Sequence, residues 1–97
     1  MPQRRRLRVP DETAELVRAL HPHIKKKIKA ALQAIISDPP AGKALRDELE
    51  GLRSFRVSRF RVVYKIASDS IIEIVAIGPR EGIYEETLRL VRKEEGK

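Results

Sequence analysis

A chain of 97 residues without cysteine is long enough for one hydrophobic core but not two, and it can form neither a disulfide framework nor a thiolate metal site or nucleophile. Lysine and arginine number 21 against 14 aspartates and glutamates, a net charge of +7 spread along the whole chain, which favours a polyanion or an acidic protein as partner. No apolar run approaches the roughly 20 residues that span a bilayer, and the basic start MPQRRRLRV lacks the apolar stretch of a signal peptide, so one cytoplasmic domain over residues 1–97 is expected, with no membrane partner.

RRRLRV, residues 4–9, alternates basic and apolar side chains and predicts a short edge strand ended by Pro10. Asp11 reads as the N-cap of a helix that carries Thr13, Leu16, Val17 and Leu20 on one stripe. After the His21-Pro22 break, Pro22 suits the first position of a second helix, whose apolar stripe is Ile24, Ile28, Ala31, Leu32, Ile35 and Ile36. SDPP, residues 37–40, stops it. Lys25, Lys26, Lys27 and Lys29 crowd its first turns, where cations oppose the helix dipole at about 0.3–1 kcal/mol each. A solvated face and a contact with phosphate or an acidic partner account for them equally well.

AGKALRDELEG, residues 41–51, reads as a polar connection with one helical turn at most. Three strands follow. Residues 53–58 put Phe55 and Val57 on one face and Arg56 and Ser58 on the other; residues 60–66 put Phe60, Val62, Tyr64 and Ile66 inward and Arg61, Val63 and Lys65 opposite. SDS, residues 68–70, is a turn, and IIEIVAIG, residues 71–78, is apolar on nearly both faces, as a central strand is. Pro79 ends it, and beyond Gly82 a last helix has Tyr84, Thr87, Leu88 and Val91 on one stripe before a fraying KEEGK tail. The fold class is therefore α+β: N-terminal strand, two amphipathic helices, antiparallel β-meander, C-terminal helix. If the two helices cover the face with Phe55 and Val62, Arg56 and Arg61 emerge together on an open face, and Arg80 lies just past the adjacent strand.

The sequence has no glycine-rich phosphate loop, and His21 and His23 straddle a proline in a turn, a poor arrangement for a metal or catalytic pair. Neither a metal nor a cofactor is expected. What remains is Arg56, Arg61 and Arg80 with Tyr84. Guanidinium grips phosphate in bidentate fashion but exchanges no proton near neutrality, so such a cluster binds and stabilises. A phenol, ordinarily titrating near 10, is a weak base unless cations favour the phenolate. Tyr84 also shares a stripe with Leu88 and Val91, and from the residues alone it reads first as a core anchor.

LEGLRSFRVSRFRVVYKI at 49–66, the apolar strand ending in GPR at 78–80, and a tyrosine opening the last helix together resemble the RelE/ParE toxin superfamily. The resemblance implies the toxin of a type II toxin–antitoxin pair, with a cognate antitoxin as partner. RelE-like members are endoribonucleases that cut messenger RNA on the ribosome, using basic residues and a late tyrosine for 2′-hydroxyl attack without a metal; ParE-like members poison DNA gyrase on the same fold. By position Arg56, Arg61, Arg80 and Tyr84 match the catalytic residues of the RelE-like branch, with Arg53, Arg59 and Lys65 as further RNA contacts. The second basic position of the first meander strand is Ser58 here, which puts proton transfer in question. The resemblance favours an mRNA interferase acting on ribosome and message; a gyrase inhibitor or an inactive nucleic-acid-binding module are the alternatives.

Overall fold

In the computed structural model, which describes residues 5–95, the elements follow as β1 (Arg6–Arg8), α1 (Asp11–Ala19), α2 (Pro22–Ser37), β2 (Lys43–Ala44), β3 (Arg53–Val57), β4 (Phe60–Ser68), β5 (Ile71–Pro79) and α3 (Ile83–Glu95). The strands form one sheet in the order β1-β5-β4-β3-β2, with β1 parallel to β5 and the other pairs antiparallel. The α+β architecture and the meander agree with the sequence. Arg4 of the expected first strand and residues 96–97 of the expected tail lie outside the described residues. The rest of KEEGK does not leave the helix before Glu95.

Period-2 alternation in β3 and β4 sends Phe55, Val57, Phe60, Val62 and Tyr64 to one face, where Ile28, Ala31 and Ile35 of α2 close the main core with Ile72, Ile74 and Ile77 of β5. Pro22 occupies the first turn of α2, and the His21 imidazole caps it by accepting the His23 N–H at 3.1 Å. Pro10 rather than Asp11 flanks α1, and Asp11 is its first helical residue, an acid placed well for the dipole. Leu16 and Ile66, expected inward, are each 40% exposed. Ile66 lies beyond the β-bulge between Val63 and Tyr64, among the exposed residues 65–70 at the end of β4. Among the described residues, no helix is long and apolar enough to cross a membrane.

The stretch 41–51 holds more order than expected. Pro39–Ala41 and Asp47–Leu49 are single 3-10 turns, and between them β2 pairs with β3 through Lys43–Ser54 and Ala44–Arg53. The segment is fixed from below by Tyr64. Its fully buried hydroxyl accepts the Gly42 N–H at 2.9 Å and donates to the Pro39 carbonyl, and the Arg53 guanidinium donates to the Gly42 and Pro40 carbonyls at 2.7 and 3.2 Å. Burial away from water pushes the Tyr64 phenol above the ordinary tyrosine value, against the smaller opposing pull of the Gly42 N–H and the Arg53 charge.

The second face of the sheet is not open. α3 lies on it, joining Ile83 to Leu52, Val63 and Ala76, with Tyr84, Leu90 and Val91 packed around them. The physical reason is the apolar run of β5, whose Val75 and Ala76 need cover on the side opposite α2 as much as Ile72 and Ile74 need it on the other.

Candidate functional site

Arg56 and Arg61 are direct partners across the β3–β4 pair, and Gly78 is the partner of Arg61 on β5. By alternation this row shares its face with Ser54 and Val63, the side that α3 covers. The first turn of α3 sits close over Gly78: a Cβ there would meet the Ile83 side chain at 3.1 Å. The expected open arginine face is thus a margin, where α3 begins and the sheet runs on beyond it.

Two like charges directly opposite each other in a sheet repel, and among the described residues neither Arg56 nor Arg61 is in an ion pair. Arg56 is exposed. Arg61 is half-buried, and its Nε is shut off from water without a hydrogen-bond partner. An orphaned buried donor costs about 1–3 kcal/mol. An anion seated on the row would relieve both the repulsion and the orphaned N–H.

Arg80 is exposed in the turn between β5 and α3, and its backbone N–H donates to the Arg59 carbonyl at 2.8 Å. That bond ties the turn to the β3–β4 hairpin, so Arg59 and Arg80 flank the same end of the sheet as the Arg56–Arg61 row. Tyr84 does two things. Its ring packs in the cluster under α3, and its hydroxyl donates to Ser54 Oγ at 3.1 Å. Ser54 and Arg56 are next neighbours on one face of β3, about 7 Å apart along the strand. Arg53 and Lys65 lie elsewhere. Arg53 is on the opposite face of β3 with its guanidinium on loop carbonyls, and Lys65 is four residues along β4 from Arg61, 3.6 Å from Glu73.

Ser58 is not a strand residue. It opens the two-residue hairpin loop between Val57 and Phe60 with φ of 55°, the left-handed region that glycine prefers at this point of a tight hairpin. A non-glycine residue pays about 1–2 kcal/mol there, and glycine loses about 0.5–1 kcal/mol in chain entropy. Ser58→Gly is therefore expected to raise stability by roughly 0.5–1 kcal/mol, seen as a higher urea midpoint with unchanged slope. Side-chain alternation gave no sign of this backbone, nor of Ser54 as the partner of Tyr84.

The family model described as the ParE toxin of the type II toxin–antitoxin system, parDE, matches residues 4–84. Among solved structures, the chain is similar to the RelBE2 toxin–antitoxin complex of Mycobacterium tuberculosis, at 25% identity and TM-score 0.68 over 82% of this chain and 100% of that one. It also resembles a free-state mutant of the Escherichia coli toxin RelE, at 19% identity and TM-score 0.70 over 90% and 97% of the two chains. A third is the YoeB–YefM complex of Staphylococcus aureus, at 22% identity and TM-score 0.63 over 76% and 94%. No curated protein matches the chain. The family match covers residues 4–84 of the 97, and the chain belongs to the ParE toxin family of type II toxin–antitoxin systems.

Proposed function

We propose that this toxin is a ribosome-dependent endoribonuclease that cuts messenger RNA without a metal. The observation that carries the proposal is the Arg56–Arg61 pair, charged, without acidic partners among the described residues and holding a buried, unpartnered Nε, within one strand neighbour of a tyrosine hydroxyl. In the reaction a ribose 2′-oxygen attacks the adjacent phosphorus as its proton leaves to a base, and the bond to the 5′-oxygen breaks as that oxygen takes up a proton. The products are a 2′,3′-cyclic phosphate and a 5′-hydroxyl. Arg61 and Arg80 hold the phosphate and offset the charge that grows on its oxygens, Arg56 orients it, and Tyr84, as the phenolate and released from its bond to Ser54, takes the 2′-hydroxyl proton. A cognate antitoxin covers the basic surface, as the toxin–antitoxin complexes among the structural relatives suggest.

Programmed ribosomes incubated with the protein, with no metal added beyond the magnesium that holds the ribosome together, are expected to yield discrete message cuts with cyclic phosphate ends. Tyr84→Phe keeps the packed ring and removes the hydroxyl; cleavage lost with the melting temperature retained is the expected outcome, and full activity would return Tyr84 to a packing role. A second reading, inhibition of DNA gyrase, is favoured by the ParE family match and by Ser58, which places a small neutral residue in a turn where a proton-transfer group is wanted. Intact message together with gyrase-dependent DNA breaks would decide for it.

A further inference from the structure

The 16 residues of α2, PHIKKKIKAALQAIIS, contain four lysines and no acid. Ile28, Ala31 and Ile35 bury its inner face, Lys26, Lys27 and Lys29 are exposed, and Lys25 is half-buried at the margin. Among the described residues none of the four is in an ion pair. Arg18, exposed in the last turn of α1, leads into them. Cations in the first turns of a helix oppose its dipole, and like charges three or four residues apart repel. The arrangement weakens α2, so folding does not account for it.

We infer that this lysine face is a second, non-catalytic surface that grips the phosphate backbone of double-stranded RNA. The choice of RNA rests on the ribonuclease reading above; the choice of duplex and backbone rests on the face itself. Lysine ammonium groups act as point charges toward phosphate. The exposed side of α2 offers no Phe, Tyr or Trp on which unpaired bases would stack. It also lacks the large apolar anchors that centre a protein–protein interface, since among the described residues the exposed large apolar side chains, Leu16 and Ile66, are on other elements. A-form RNA presents a wide shallow groove bordered by phosphates, which suits such a surface.

Its placement separates it from the arginine row. The end of α2 is held by the Arg5 guanidinium on the Ile36 carbonyl at 2.9 Å and by Tyr64 on Pro39 just beyond, and a helix of 16 residues reaches about 24 Å from there. The lysine turns stand at its far end, on the face of the sheet opposite Arg56 and Arg61. The protein can therefore hold a duplex on one side and a single-stranded message on the other, and two linked binding events raise the effective affinity beyond either alone.

The test combines Lys25→Gln, Lys26→Gln, Lys27→Gln and Lys29→Gln, which keep helix propensity and remove four charges. Binding to a blunt RNA duplex of about 16 base pairs, the span of a typical duplex-binding module, is followed by fluorescence anisotropy across a salt series. The slope of log affinity against log salt is expected to fall by about 3–4, near 0.9 for each phosphate that is no longer neutralised. On programmed ribosomes the concentration for half-maximal cleavage should rise at least tenfold, with the rate at saturation unchanged. The variant should melt at or above the wild-type temperature, because cations have left the helix N-terminus. An unchanged slope on the RNA duplex overturns the inference. So does an equal loss of binding to polyglutamate, which would make the face a general acceptor of acidic partners, or tighter wild-type binding to a DNA duplex of the same length. Duplex binding that disappears with the lysines, in a protein whose wild type never cuts message, leaves the surface standing and overturns the ribonuclease reading instead.

Discussion

Arg61→Ala and Arg80→Ala are each expected to lower single-turnover cleavage on programmed ribosomes by roughly 10²–10³ fold, the scale of removing one preorganised donor to a developing anion. The melting temperature should hardly move. Arg80 is exposed, and the bond that fixes its turn is made by its backbone, which alanine retains. Arg61 is half-buried, but its Nε has no partner to lose. Removing the guanidinium also ends the repulsion from Arg56 across the strand pair, so any small loss of packing along the Arg61 stem has an offset. Arg61→Met keeps that stem and isolates the charge. Unfolding of both alanine variants would make these arginines structural and remove the phosphate site.

The largest expected stability effect lies away from that site. Tyr64→Phe leaves the buried Gly42 N–H and Pro39 carbonyl unpaired, and at about 1–3 kcal/mol for each orphaned group the loss is about 2–6 kcal/mol. For a domain of this size, at about 4–8 °C for each kcal/mol, that lowers the melting temperature by at least about 10 °C. Gly42→Ala should be comparably damaging, because the added Cβ would stand 2.7 Å from the Tyr64 hydroxyl and 2.8 Å from its ring in a site with no room to give. The same burial sets an alkaline limit. Since the folded-state pKa of Tyr64 is raised, its contribution is complete below the unfolded-state value near 10 and is lost as pH rises through the folded value. Melting followed from neutrality into alkali should show stability falling from about pH 10 upward.

These two sites differ in how far the sequence revealed them. Arg56 and Arg61 were visible because alternation in β3 and β4 assigns side chains to faces without ambiguity once Phe55, Val57, Phe60 and Val62 mark the core. The α2 stripe was visible for the same reason, with Pro22 and SDPP as its ends. What covers the arginine face was not, because alternation separates two faces without saying which helix takes which; the signal that both need cover was present only in the two-sided apolar run of β5. β2 escaped because its two residues, Lys43 and Ala44, are both exposed and are set against β3 by contacts distant in sequence, such as the Gly42 N–H on the Tyr64 hydroxyl 22 residues away. Ser58 escaped because its distinguishing property is a dihedral angle, on which a side-chain pattern is silent.

The pairing of β1 with β5 joins residues far apart in the chain, Arg6 with Ile71 and Arg8 with Glu73, whereas β3, β4 and β5 follow one another through short turns. Closing a long loop costs more chain entropy than closing a short one, and pairings distant in sequence form late and slow folding. The meander, with Arg56, Arg61 and the turn bearing Arg80, is thus the local part of the molecule, and β1 is the strand that completes it. A chain deprived of that strand retains the pairings that build the arginine row but leaves the backbone of β5 unpaired along an apolar edge, the surface from which β-proteins aggregate. Integrity of Arg6–Arg8 accordingly bears on solubility more than on the chemistry at the opposite end of the sheet.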